Sequence, residues 1–191
     1  MTTESSPIRP STRDAVVRAA IALFAVREGA SLDDVAAAAG VARATLFRHF
    51  GSRDELVRAA GLQSLAELEE ALRHADLARG TARDRLLRLL EVLVPAGQKL
   101  RFVYRCADLV DDDALLRAEA RLDRHIAPVL EAAVRAGLVA RDLGGVWLSE
   151  VFESLLYASW TAVARGAVAP ADAPRLLMRT LLHGLGREPR S

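Results

Sequence analysis

A chain of 191 residues, half of them hydrophobic, can bury a substantial core, as one domain or as a small domain joined to a larger one. Its 26 basic and 25 acidic residues nearly cancel, so overall charge says nothing about nucleic acid, and no apolar run approaches the roughly 18 residues of a membrane span. The lone cysteine, Cys106, excludes an internal disulfide; with an opening stretch (MTTESSPIRPSTRD) that lacks the apolar centre of a secretion signal, it points to the cytoplasm.

Residues 1–10 hold Pro7 and Pro10 among Ser and Thr and read as a flexible arm. From Ser11 the apolar residues Ala15, Val16, Ala19, Ala20, Leu23 and Phe24 recur at helical spacing, with Ser11 or Thr12 as N-cap and Gly29 as terminator. Ser31 and Asp34 form a capping box for a second helix through Val35, Ala36 and Ala39. Gly40 supplies the left-handed residue of a tight turn, and a short third helix follows from Ala42 to about Phe50. Gly51 and Ser52 break it, and Ser52 with Glu55 is a full capping box that opens a long fourth helix.

Two helices about a glycine turn form a helix-turn-helix, whose second helix enters the DNA major groove. Val35, Ala39, Val41, Leu46 and Phe50 can converge to hold the pair together. Arg43, Thr45, Phe47, Arg48 and His49 then cover the remaining faces of the short helix. Arg43 and Thr45 can reach base edges or phosphate, and Arg48 and His49 phosphate. Arg53 stands in the first turn of the fourth helix, where a cation is locally unfavourable and a phosphate partner would explain it. Residues 1–60 carry eight arginines against seven acids, so any cationic surface must come from placement.

Residues Thr12–Ala59 resemble the N-terminal domain of the TetR family of bacterial transcriptional repressors. The matching stretches are AAIALF, SLDDVAAAAGV, TLFRHF for the family's T-L-Y-x-H-F, and SRDEL for S-K-x-x-L. The resemblance covers about a quarter of the chain. It implies a three-helix DNA-binding head, a larger helical body that binds a small effector, and a homodimer on a double-stranded operator. Phe47 stands where the family usually has a tyrosine that donates to phosphate, and Ala44 where glycine is frequent. Arg43 occupies a base-reading position, where arginine most naturally reads guanine.

Beyond Ala60 the pattern stays helical, so the whole chain is expected to be all-α, with a head over residues 11–57 and an effector-binding and dimerisation body over 58–191. Leucines continue the fourth helix to Leu77; a fifth runs from Thr81 to Leu93 and is closed by Pro95 and Gly97. The run Asp111–Asp113 caps a helix over Ala114–Ala136, which Pro128 must kink or split. A metal site from Asp108, Asp111, Asp113 and His125 fits no known ligand spacing, and none is expected. Phe102, Cys106, His125 and Trp147 are the candidates for lining an effector pocket, mostly apolar in character, although His125 also reads as a core-edge residue.

The last two helices, Val146–Arg165 and one starting at Pro170 or Asp172, are apolar on more than one side. Phe152, Leu155, Leu156, Ser159, Leu177 and Leu181 are therefore candidates for a dimer interface, the place where the resembling family pairs these helices; the alternative is that the two helices simply close the chain's own core. No glycine-rich phosphate loop, HExxH, cysteine pair or nucleophile elbow is present, so neither enzyme nor cofactor is expected. The rival to a repressor is a helical protein–protein adaptor, which would have no use for the arginines between Arg43 and Arg53.

Overall fold

A computed structural model of the chain describes residues 11–27, 29–105 and 112–185. Eight α-helices and no strand occur among the described residues: α1 Thr12–Val26, α2 Leu32–Ala39, α3 Arg43–His49, α4 Arg53–His74, α5 Ala82–Leu100, α6 Asp113–Arg135, α7 Gly145–Ala164 and α8 Ala173–His183. Short 3-10 turns at Val103–Arg105 and Arg141–Leu143 precede α6 and α7. None of these helices is long and apolar enough to cross a membrane.

Local chemistry explains the first four starts and stops. Ser11 caps α1 by accepting the Asp14 amide at 3.2 Å. At α2 the Asp34 carboxylate accepts the Ser31 amide at 2.8 Å while Ser31 Oγ accepts the Asp34 amide at 3.2 Å, which closes the expected box. Gly40 ends α2 in the left-handed region at φ 68°, where any side chain would be strained. At α4 the box is only half made. Ser52 Oγ accepts the Glu55 amide, but the Glu55 carboxylate takes the amide of Gly51, at 2.7 Å, instead of that of Ser52.

Asp34 also pairs with Arg27 at 2.7 Å, tying the end of α1 to the start of α2. The Ser31 amide and hydroxyl and the Arg27 guanidinium hold its carboxyl down at about 2. A folded-state value below the ordinary 3.8 means a contribution to stability that is present at neutral pH and lost as pH falls through that window. Asp34→Asn is therefore expected to flatten the acid limb of helix circular dichroism between pH 3.8 and about 2, and an unchanged limb would contradict it.

In the head, Val16, Ala20 and Phe24 of α1 close over Val35, Leu46 and Phe50, all buried. In the body α5 is the central element, touching α1, α4, α6, α7 and α8. It does not stop at Pro95 and Gly97 as the sequence suggests but runs through both to Leu100. An internal proline costs a helix about 3 kcal/mol. Burial of Leu86, Leu89, Leu90, Leu93, Val94 and Leu100 on α5 outweighs that, at roughly 1.5–3 kcal/mol for each large apolar side chain. Gly97 is a packing residue, not a terminator: a Cβ there would lie 2.1 Å from the Trp160 ring.

Asp112 caps α6 as expected, accepting the amides of Ala114 and Leu115 at 2.9 and 3.0 Å and an Arg58 N–H from α4. The helix continues past Pro128 without a break. On α4, Gly61 lets the 3-10 turn and α6 come close; a Cβ there would meet Val103 at 3.0 Å and Leu115 at 3.3 Å.

Candidate DNA-binding face and effector cavity

The turn at Gly40 sets α3 across α2, and Leu46 and Phe50 then anchor it in the head. Arg43, Ala44, Phe47, Arg48 and His49 are left exposed, and Thr45 half-buried. Ala44 sits between Arg43, Phe47 and Arg48 on the helical wheel, a small residue at the centre of a cationic face. Phe47 keeps 38% of its surface exposed and carries the Arg43 guanidinium 5.1 Å above its ring. Arg43 also pairs with Asp33 of α2, so the ring and the carboxylate together hold it at the edge of α3. Both are weak exposed contacts that a base or phosphate can displace.

Arg53 is half-buried, and its guanidinium lies 5.1 Å above the ring of Phe24. That stacking holds the guanidinium in the first turn of α4. Arg13 of α1 lies likewise over Phe50, at 5.1 Å, and brings a further cation to the end of α3. The sequence gives no hint of it, because Arg13 and Phe50 meet only through the packing of α1 on α3.

Of the four residues expected around an effector, the three that are described do not come together. Phe102 is buried against Phe24 of the head, with ring centroids 5.4 Å apart. His125 is half-buried outside the cavity described next, and Trp147 is 61% exposed in the first turn of α7. Cys106 lies outside the described residues, as do Asp108 and Asp111.

A cavity of about 300 Å3 instead opens among α4, α5, α6, α7 and the first 3-10 turn. Leu68, Leu93, Leu100, Leu122, Ile126, Phe152, Leu156 and Trp160 make its apolar wall, and Tyr104, Glu119, Asp123 and Glu153 its polar one. Trp160 is fixed there: its indole N–H donates to the Leu93 carbonyl at 2.9 Å and its ring lies on Gly97. Tyr104 and Tyr157 stand beside it, with centroids at 5.7 and 6.5 Å. The Tyr104 hydroxyl faces Glu119 across the cavity. Burial and the charges of Glu119 and Glu153 push its phenol up, although about half of the residue remains open to solvent. Burial first, then the nearby acids, also raises the carboxyls of Glu119 and Glu153.

A larger hollow of about 580 Å3 adjoins the cavity, sharing Ala127, Leu130 and Ser149 with it. Exposed residues such as Val146 and Gly144 border it, so it is a trough at the surface, whereas the smaller cavity reaches the interior contact of Trp160. The signal in the sequence for the cavity is Glu119 and Asp123, acids one turn apart that flank buried Leu122 on α6.

Of the residues expected at a dimer interface, Phe152, Leu156 and Leu177 are buried within the single chain, and Leu155, Ser159 and Leu181 are half-buried. Phe152 and Leu156 belong to the cavity wall, because α7 turns this face onto α5. Ser159 Oγ donates to the Leu156 carbonyl at 2.7 Å. The outer side of α7 carries Trp147, Val151, Ser154 and Ala158, and α8 adds half-exposed Leu176.

Residues 16–60 match the family described as bacterial regulatory proteins, tetR family. Over 186 residues the chain is 30% identical to the HTH-type transcriptional repressor LfrR of Mycolicibacterium smegmatis, a match covering 97% of this chain and 96% of that protein. It is 27% identical over 179 residues to the HTH-type transcriptional regulator NfxB of Pseudomonas aeruginosa, covering 92% and 95%. Its fold matches the crystal structure of LfrR in complex with proflavine at a TM-score of 0.77 and 28% identity, covering 93% of this chain and 99% of that one. A matched helix-turn-helix followed by a helical body, in one chain aligned end to end with such regulators, identifies the family: the chain belongs to the TetR family of bacterial transcriptional regulators, DNA-binding proteins and not enzymes.

Proposed function

We propose that the protein is a homodimeric repressor that binds a pseudo-palindromic operator and leaves it when a small, mostly apolar effector enters the body. The observation that carries this is the pairing of an exposed α3 face, Arg43–Ala44–Phe47–Arg48, with an aromatic cavity at the other end of α4. The head then comprises residues 11–57 and the body 58–191. Arg43 reads bases with Thr45 beside it, Arg48, His49 and Arg53 hold phosphates, and Phe47 gives packing or sugar contact in place of a hydroxyl. That LfrR was crystallised with proflavine supports a small organic effector.

A two-headed reader needs a two-fold partner, and the outer face of α7 and α8 suits one. Trp147, Val151, Ser154 and Ala158 follow each other at spacings of four, three and four, one continuous face opposite the cavity wall. Half-buried Leu155, Ser159 and Leu181 border that face; Phe152, Leu156 and Leu177 support it from inside.

Effector and operator communicate along α4. This 22-residue helix is about 33 Å long, starts at Arg53 and carries Leu68 on the cavity wall. A second line of contact runs from Tyr104 of the cavity to Phe102, two residues away, to Phe24 and on to Arg53. An effector that prefers one setting of these contacts respaces the two heads, with a coupling free energy of about 1–3 kcal/mol.

The test is binding to a random pool of duplexes at two salt concentrations, with sequencing of the bound fraction. A repressor binds with a steep salt slope, whereas the helical adaptor does not bind. Arg48→Ala is expected to weaken binding uniformly and to reduce the salt slope by about one unit, while Arg43→Ala relaxes the preference at one base pair per half-site at a cost of about 1–3 kcal/mol. An unchanged selected sequence with Arg43→Ala would remove base reading from that residue.

A further inference from the structure

We propose that the body cavity selects an organic cation with a planar aromatic frame, its positive charge held by Glu119, Asp123 and Glu153. The inference rests on reading this cavity as the effector site and goes further, to the charge and shape of the ligand.

Two features of the cavity decide it. The first is the aromatic corner: Trp160 is locked by its bond to Leu93, with Tyr104 against it at 5.7 Å. A fixed indole face beside aliphatic walls favours a flat delocalised frame over a flexible chain, and a cation over a neutral ring. The second is uncompensated negative charge. Glu119 and Asp123 come from α6 and Glu153 from α7, and no lysine or arginine lines the cavity among the described residues. Among the described residues none of the three has an ion-pair partner, and the group that faces Glu119 is the neutral Tyr104 hydroxyl. The volume of about 300 Å3 stands at the small end of the range for small-molecule sites.

Burial, and after it the charges of the neighbouring acids, raises the proton affinity of Glu119 and Glu153, and a bound cation offsets both. An anionic ligand meets three carboxylates, and a neutral one leaves them to lose water without return. No group of three or more acidic, histidine or cysteine side chains is placed to hold a metal ion among the described residues, so the cation that fits is organic.

The experiment compares N-methylacridinium with acridine at pH 8, two ligands of one shape, of which the first is permanently charged and the second neutral at that pH. Titration of the full chain, followed by Trp fluorescence and calorimetry, is expected to show the cation binding at least tenfold more tightly. The Glu119→Gln and Glu153→Gln double variant is expected to reduce the difference to less than twofold with acridine affinity preserved. Equal affinity of the two ligands, no binding of either, or a preference that survives in the double variant would each overturn the charge assignment. Spermidine competing as well as N-methylacridinium would overturn the aromatic part.

A second arm needs no variant. The groups facing the ligand are Tyr104 on the 3-10 turn, Glu119 and Asp123 on α6, and Glu153 on α7 with Glu150 a turn before it; α4 and α5 contribute only leucines. N-methylacridinium does not titrate, so its affinity is expected to fall at least threefold from pH 8 to pH 5 as Glu119 and Glu153, whose carboxyls are raised, take up protons, and a flat profile overturns the proposal. Release of operator DNA is scored separately. Charge-selective binding without release keeps this inference and removes the effector reading; release without charge selection does the reverse.

Discussion

Gly97→Ala is expected to lower the free energy of unfolding by about 2–4 kcal/mol and to abolish ligand binding in the body cavity. The added Cβ falls 2.1 Å from the Trp160 ring, so either the ring or α5 must move. Overfilling of this kind costs about 1–3 kcal/mol. Moving the ring also breaks its N–H bond to the Leu93 carbonyl, and a buried donor left alone costs about 1–3 kcal/mol more. The gain in helix propensity from glycine to alanine returns about 1 kcal/mol. Urea unfolding followed by helix circular dichroism reads the sum. A variant within 0.5 kcal/mol of the parent (about the scatter of a neutral surface change) would mean that Trp160 is not locked against α5.

The second large effect is expected at Phe102. Phe102→Ala removes a buried ring that packs on Phe24 at 5.4 Å, at a cost of about 3–5 kcal/mol. The milder Phe102→Leu separates stability from signalling, since leucine keeps the junction filled while losing the shape that couples the two rings. Its affinities for operator alone and effector alone are expected to stay within about threefold of the parent, while the effect of one on the other drops from about 1–3 kcal/mol to under about 0.5 kcal/mol. Titrating operator with and without effector measures this. Full coupling in Phe102→Leu would leave α4 as the sole route between the sites.

Elements fixed by a few neighbouring residues were legible in the sequence. Ser11, the Ser31–Asp34 box, Gly40 and Asp112 all act where expected, because a cap depends on atoms within three or four residues of it. Glu55 shows the limit even there, since its choice of the Gly51 amide over that of Ser52 depends on the path of the turn. The division of α3 into a buried side with Leu46 and an exposed side with Arg43, Phe47 and Arg48 was equally readable, from spacing alone.

The body was legible as helices but not as a site. Pro95 and Gly97 look like a stop to anything that reads along the chain; α5 continues because buried leucines and the Trp160 ring hold it from outside. Phe102 and Trp147 looked like pocket residues because they are aromatic, yet Phe102 packs on the head and Trp147 faces outward. Phe152, Leu156 and Leu177 looked free to meet a second chain, yet they are buried within this one.

The sequence alone therefore determined the helices, their caps, the helix-turn-helix and the family, since each is written in spacings of a few residues. Only the tertiary structure decided where the cavity lies, that Trp160 closes it and that Glu119, Asp123 and Glu153 share it. Those residues are separated by a turn of helix in one case and some thirty positions in another, and Leu93 of α5 and Trp160 of α7 meet across 67 positions. Nothing in their local sequence encodes that meeting, because it arises from how several amphipathic helices jointly bury their apolar faces.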